Sequence, residues 1–337
     1  MIHYNFYQSS LWQYINREIY RKPVGIITIA GQEYQYIVKR KSVLGVTVNW
    51  YQILGVELPL EYLTDPDQFR EWIMKICRTQ FASQGDCFVQ LWIINELWII
   101  DTSETKLESY NIQRDARRRQ QGSAMMRLGG YDGLVENMPE ATIIIDLSKR
   151  EDELWSDLSR STRTHVGRAQ KSWLVVKVAS DADRDSYYEM RLTTGDIKGF
   201  AVQSRECYDA LREYLLHSGQ WHLYVVRDGD TIIAGAICVM IGNVYVYLYG
   251  GTRRAIGNLG HAQFLHRTLI KSAREQWFSY YDLLGCSAGS LQSHHLDGVT
   301  QFKSGFGGQK IEYIGNYDFP LSNWKYEMFK WYRKTKW

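Results

Sequence analysis

Residues 221–251 read WHLYVVRDGDTIIAGAICVMIGNVYVYLYGG. Three β-rich runs follow one another here: Trp221–Val226, Thr231–Met240 and Asn243–Tyr249. Asp228-Gly229 separates the first two. An Asp-Gly pair supplies the positive φ that a tight hairpin turn demands, so the stretch predicts consecutive paired strands. Leu259–Gln276 then reads as a helix and Ser279–Leu284 as a strand.

A fainter version of the same pattern lies upstream. Gly25–Ile29 and Tyr34–Lys39 predict a hairpin around Gly31, and Val43–Trp50 and Tyr51–Val56 continue the strands. Asp65 or Asp67 caps a predicted helix running to Ser83, with Phe69, Trp72, Ile73 and Ile76 at helical spacing; Cys87–Ile100 is strand-like. Gly31, Gly45 and Gly55 here echo Gly229, Gly242 and Gly250-Gly251 there. One α/β unit used twice accounts for both stretches. The other predicted elements are helices at Ser10–Tyr20, Glu151–Gln170, Tyr187–Thr193 and Arg205–Ser218, strands at Ala141–Leu147, Trp173–Val178 and Lys310–Tyr317, and an amphipathic basic helix from Asn323.

Composition agrees with two domains. At ~100–200 residues per domain, 337 residues make about two, and five prolines leave no room for a long proline-rich linker. Hydrophobic residues at 45% exclude wholesale disorder. Forty Lys+Arg against 37 Asp+Glu is too even for a chain-wide nucleic-acid field, so any phosphate contact must come from local patches. Aromatics at 14% imply wide amphipathic surfaces. Cys77, Cys87, Cys207, Cys238 and Cys286 form no CxxC pair, which fits a reducing cytoplasm without a disulfide frame or zinc knuckle. The opening residues do not read as a signal peptide. The run Val89–Ile100, broken by Gln90, Asn95 and Glu96, is too polar to span a bilayer. A soluble protein with room for peripheral membrane contact is expected.

Several stretches carry candidate chemistry. Gly285-Cys286-Ser287-Ala288-Gly289 spells a GxSxG elbow, but no histidine follows Asp297, so a hydrolase triad in its required order is excluded. Arg254–Gly260 offers a helix-start loop for a pyrophosphate, or simply a turn. Adjacent His294 and His295 point apart, against a metal site. Arg114–Gln121, with Arg117 and Arg118, and Arg160–Lys171, with Arg163, Arg168 and Lys171, are either solvated faces or phosphate-meeting patches. Finally, Lys303 lies between Phe302 and Phe306 in a glycine-rich stretch ending at Gly308. A lysine held among apolar groups supplies a strong local positive field, suited to an oxyanion. A stray surface lysine is the alternative.

Three of these signatures in order resemble the FemABX family of aminoacyl-tRNA-dependent peptidyltransferases. They are Ile145-Asp146-Leu147-Ser148 leading through Asp152-Glu153-Leu154-Trp155 to the basic Arg163–Lys171 helix; Tyr281-Asp282-Leu283-Leu284-Gly285; and Phe302–Gly308 with Tyr313-Ile314-Gly315. The resemblance is specific over 141–320 and looser over 1–140, where Tyr7-Gln8-Ser9 and Trp12 look like the family's opening.

The resemblance implies an α/β (α+β) fold of two tandem GNAT-like acyltransferase domains with a cleft between them. The domains would be 1–140, joined by the C-terminal helix 321–337, and 141–320, in the compact form without a coiled-coil insertion. It also implies transfer of an amino acid from aminoacyl-tRNA to an amine of a lipid-linked or UDP-linked peptidoglycan precursor, without cofactor or metal. Lys303 behind Phe302 matches the family's oxyanion-stabilising lysine, and Tyr249 its strand-end Tyr-x-Gly tyrosine. Gln203, with Arg205 nearby, stands where the family has a substrate-phosphate arginine. Ile53-Leu54-Gly55-Val56 and Asn95-Glu96 also depart from the family pattern. These departures bear on the acceptor. A small peptide or natural-product acceptor, an acyl-CoA-dependent N-acyltransferase using Arg254–Gly260, and a non-catalytic RNA-binding role are the other readings.

Overall fold

The computed structural model describes residues 10–57, 66–81, 88–96, 131–132, 141–198, 202–216, 219–253, 259–287 and 297–336. In chain order the elements are α1 (Ser10–Tyr14, continued by a π turn to Ile19), β1 (Val24–Ile29), β2 (Gln32–Val43), β3 (Val46–Val56), α2 (Pro66–Phe81), β4 (Phe88–Glu96) and β5 (Tyr131–Asp132). There follow β6 (Ala141–Asp146), α3 (Glu151–Ser156), α4 (Arg160–Lys171), β7 (Val175–Val178), α5 (Asp183–Lys198), α6 (Arg205–Leu216), β8 (Trp221–Asp228), β9 (Thr231–Ile241) and β10 (Val244–Thr252). The chain closes with α7 (His261–Glu275), β11 (Tyr280–Asp282), α8 (Asp297–Ser304), β12 (Gln309–Pro320) and α9 (Asn323–Lys336).

The chain divides into two compact units, one of Ala141–Ile311 and one of Asn5–Glu140 with Glu312–Trp337. Each contains the same plan. In the N-terminal unit, β1, β2 and β3 form an antiparallel meander turning at Gly31 and Gly45, both at positive φ; α2 follows, and β4 returns parallel to β3. In the other, β8, β9 and β10 form the meander with turns at Gly229 and Gly242; α7 follows, and β11 returns parallel to β10. The last meander strand is bulged in each, at Gly55 and at Leu248. The glycine echo in the sequence is therefore the echo of four hairpin turns.

Three boundaries differ from expectation. The runs read as Val43–Trp50 and Tyr51–Val56 are one strand, because the turn falls at Leu44-Gly45. The helix expected over 151–170 is two. Ser159 restarts it by accepting the Thr162 N–H at 3.1 Å, while the Arg163 guanidinium donates to the Ser156 carbonyl at 2.9 Å and to that of Leu158. Residues 312–320, expected to close the second domain, count with the N-terminal unit because β12 pairs antiparallel with β4.

Each unit has its own core. In the 141–311 unit, α4 and α7 cover one sheet face with Ala169, Leu265, Leu269 and Ala273 against Ala234, Ala236, Cys238, Tyr245 and Tyr281. In the N-terminal unit, α2 buries Ile73, Cys77 and Phe81 on Tyr51, Ile53 and Val89; α9 packs Tyr326 and Phe329 on Val43, Val48, Trp50 and Phe88. A buried polar chain ties that unit's strands to α9: Gln52 donates to Gln90 (2.7 Å), Gln90 to Asp318 (2.9 Å), and Tyr326 to Asp318 (3.0 Å). Cys77, Cys207, Cys238 and Cys286 are buried free thiols, and Cys87 lies outside the described residues. No described helix is long and apolar enough to cross a membrane.

Candidate active site

Lys303 sits on the last turn of α8 and is 7% exposed. Its ammonium donates to two consecutive carbonyls, Leu284 at 2.9 Å and Gly285 at 2.7 Å. It is not a stray surface lysine. Two of its three N–H groups are committed to these carbonyls, and the third has no hydrogen-bond partner among the described residues. Burial pulls its pKa down to about 8, against the attraction of Cys286 and Asp282. The cation therefore persists at neutral pH in a setting where its field is little screened.

The two carbonyls converge because the chain turns sharply after β11. Asp282, buried at the strand end, accepts the Leu284 N–H at 2.8 Å and the Thr142 hydroxyl of β6 at 2.5 Å. Leu284 adopts φ +53, an unfavourable value for a leucine, held by this Asx-type bond. The glycines after Lys303 have a different reason. Gly307 and Gly308 lie at φ +76 and +87, and a Cβ on Gly308 would stand 2.7 Å from the Ile144 carbonyl. The chain slips between β6 and the α3–α4 connection only without side chains there.

Rings pack around the ammonium. Tyr247 lies with its centroid 5.9 Å from the Lys303 ammonium, and His266 of α7 packs on Tyr247 (4.4 Å), Phe306 (4.9 Å) and Phe302 (5.5 Å). Burial, reinforced by Lys303, pulls the His266 pKa down to about 3, so this ring is neutral; its Nδ1 lies 3.0 Å from the Tyr281 hydroxyl. Burial pushes the Tyr247 phenol up to about 12. Phe302 is thus a wall residue, half-buried and stacked edge-on against Phe306.

A second cluster adjoins the first at the end of β10. The bulge at Leu248 breaks strand alternation, so Tyr247 faces α7 while Tyr249 faces α5. Beyond it, the Tyr247 hydroxyl occupies the space where a Gly250 side chain would stand. The buried Arg191 of α5 donates to the Gly250 carbonyl and to the Tyr208 hydroxyl (3.2 Å), and lies 5.7 Å over the Tyr249 ring. Tyr187 donates to the Tyr249 carbonyl at 3.0 Å. Gln203 accepts a bond from Tyr188 through its backbone at 3.2 Å; its buried side-chain oxygen has no partner among the described residues. Arg205 is drawn to Asp185 and Asp209 and lies over the Tyr188 ring.

The structure thus brings Lys303, Phe302, Tyr249, Gln203 and Arg205 into one unit. Trp12 belongs to the N-terminal unit, where it is half-buried beside Asn16. Arg163 caps α3 rather than standing clear, whereas Arg168 and Lys171 are on the exposed face of α4, opposite Thr162, Val166 and Ala169. Arg117, Arg118, residues 254–258 of the glycine loop, and His294-His295 lie outside the described residues. Ser287 of the GxSxG stretch is buried, its N–H given to Thr300 at 2.8 Å. Among the described residues no group of three His, Cys, Asp or Glu converges to hold a metal. Sequence reading passed over Arg191, His266 and the role of Asp282. Arg191 had a signal, since it falls on the inward stripe of α5 with Tyr187 and Met190.

Residues 220–334 match the FemAB family model. The lipid II:glycine glycyltransferase of Staphylococcus aureus is 19% identical over 284 residues, covering 64% of this chain and 68% of that protein. The crystal structure of FemX superposes with a TM-score of 0.69 at 16% identity, covering 96% of this chain and 94% of FemX. L-PGS from Bacillus licheniformis shares the fold at a TM-score of 0.51 and 9% identity, over 91% and 87% of the two chains. The family match and this relative point to a FemAB-like transferase, and the FemX superposition shows a FemX-like fold.

Proposed function

We infer that this FemABX-family chain is an aminoacyltransferase that moves an amino acid from aminoacyl-tRNA to an amine of a peptidoglycan precursor peptide, in the cytoplasm. The observation that carries the reading is the buried Lys303 ammonium, pinned by two carbonyls with one N–H uncommitted among the described residues.

In the reaction the acceptor amine attacks the ester carbonyl carbon. A C–N bond forms as the carbonyl electron pair moves onto oxygen, where the free N–H of Lys303 meets the new charge. The oxyanion collapses, the ester C–O bond breaks, and the departing ribose oxygen takes the amine proton. The ester is already activated, so alignment and charge stabilisation are what the protein supplies. Tyr249, Tyr208 and Arg191 form an aromatic and cationic wall for the acceptor or the aminoacyl group. Arg168 and Lys171, with Arg117 and Arg118, are the basic residues assigned to tRNA, whose binding weakens with salt; Arg163, committed to capping α3, is not among them.

A second acceptor class has support of its own. Where the family has a substrate-phosphate arginine, the described residues offer the uncharged Gln203 and the ion-paired Arg205, which favours a small peptide or natural-product amine. The test incubates the protein with tRNA carrying a labelled amino acid and, in separate arms, a lipid-linked muropeptide, a UDP-muropeptide, a free peptide, or acetyl-CoA in place of the tRNA. Mass spectrometry then locates the new amide. Acyl transfer from acetyl-CoA alone, or tRNA binding with the ester left intact, refutes the reading.

A further inference from the structure

The outer face of α9 is apolar where a solvated helix would be polar. Tyr326 and Phe329 point into the N-terminal unit's core. Trp324 and Trp331, seven residues apart, share the opposite stripe and are 61% and 55% exposed. Met328, at the edge of that stripe, is half-buried and packs against the core cluster beneath the helix. One exposed indole carries no message, but two on one stripe make a ridge. In sequence α9 carries Lys325, Lys330, Arg333, Lys334 and Lys336 against Glu327 alone, and Lys330 is paired with that glutamate at 2.9 Å.

A second element of the same unit has the same character. α9 packs against β2, and Val43 shares its core cluster. The β2–β3 hairpin runs Lys39-Arg40-Lys41-Ser42-Val43-Leu44-Gly45. Leu44 at its tip is 76% exposed at φ +50. Asn at that turn position would relax the backbone, so the leucine places an apolar side chain in water under local strain. By strand alternation Lys39 and Lys41 share the face of Val43. Lys39 is half-buried beside Lys22, and burial together with that neighbouring charge draws its pKa down to about 8. An anion set against this strip is attracted by both lysines.

We propose that α9 and the β2–β3 tip form a docking face for an anionic bilayer, with Trp324, Trp331 and Leu44 seated among the headgroups and the flanking lysines over lipid phosphates. The exposed leucine at the hairpin tip has no face on which a base stacks, which favours lipid over RNA as the occupant.

The test uses the full chain, sedimented with vesicles of phosphatidylcholine alone or mixed equally with phosphatidylglycerol. Binding is expected only to the mixed vesicles, falling as salt is raised. The double variant Trp324→Ser/Trp331→Ser loses roughly tenfold in affinity, and Lys41→Gln about fivefold, from ~1 kcal/mol per charge near the surface. Leu44→Asn, which suits the turn and leaves folding secure, also weakens binding. Equal binding to both vesicle types, or unchanged binding by the tryptophan and leucine variants, overturns the proposal. So does a loss of uncharged-tRNA binding in those variants while vesicle binding stays. Aminoacyl transfer to a lipid-free peptide is measured alongside. If transfer persists while vesicles are ignored, the docking face falls and the reaction stands.

Discussion

Raising the pH should switch off Lys303 without any mutation. Its pKa of about 8 leaves about nine-tenths of the ammonium at about pH 7 and about one-tenth at about pH 9. Transfer that depends on the cation therefore falls roughly tenfold over that interval. The acceptor amine loses its own proton on the same side, which raises the rate and masks the fall. Lys303→Arg separates the two effects, because a guanidinium keeps its charge throughout. The assay is single-turnover transfer from labelled aminoacyl-tRNA, corrected for ester hydrolysis without protein, with a thermal melt to establish that the variant folds. The ratio of wild-type to Lys303→Arg rate should drop about tenfold from about pH 7 to about pH 9. A ratio that stays flat refutes Lys303 as the charge that steadies the oxyanion. The same shift has a stability consequence of fixed sign. The folded pKa lies below a lysine's ordinary 10.5, so charged Lys303 costs the fold up to about 3 kcal/mol below about pH 8, and the cost fades as pH rises towards 10.5. Lys303→Ala removes that cost while orphaning two carbonyls, so it should fold near wild-type stability yet lose roughly 10²–10³ in transfer rate.

Asp282→Asn keeps an oxygen for the Leu284 N–H but removes the carboxylate that supports the ammonium, so the falling limb of the rate profile should move to lower pH; an unmoved limb assigns Asp282 to the turn alone. Gly308→Ala forces a methyl to 2.7 Å from the Ile144 carbonyl at φ +87 and should destabilise by more than about 2 kcal/mol in denaturant unfolding. Tyr326→Phe takes one donor from Asp318 in the buried Gln52–Gln90–Asp318 chain, at a cost of about 1–2 kcal/mol, with transfer little changed in kinetic assays on the folded variant.

Much of this was legible in the chain itself. The two meanders, their turn glycines and the helices that follow depend on local periodicity and on residues tolerant of positive φ, and neither needs a partner distant in sequence. Lys303 stood out for the same reason, as a charge in a short apolar and glycine-rich stretch. Local reading failed where the deciding contact was remote. The break at Asp157–Ser159 is set by Arg163 reaching back to carbonyls of the preceding helix, and residues 312–320 change unit because β4 accepts them as a neighbour.

Sequence alone therefore determined that a cation sits near glycines and rings. It did not determine that the cation is held by the carbonyls of Leu284 and Gly285, nineteen and eighteen residues away, or that Asp282 and Thr142, 140 positions apart, set the turn that aims them. Nor did it bring Arg191 to Gly250, or His266 against Phe302 and Phe306. Such contacts exist only once the sheet has fixed which strand ends lie side by side. Hydrogen-bond geometry is decided over a few tenths of an ångström, and no spacing along a chain encodes that.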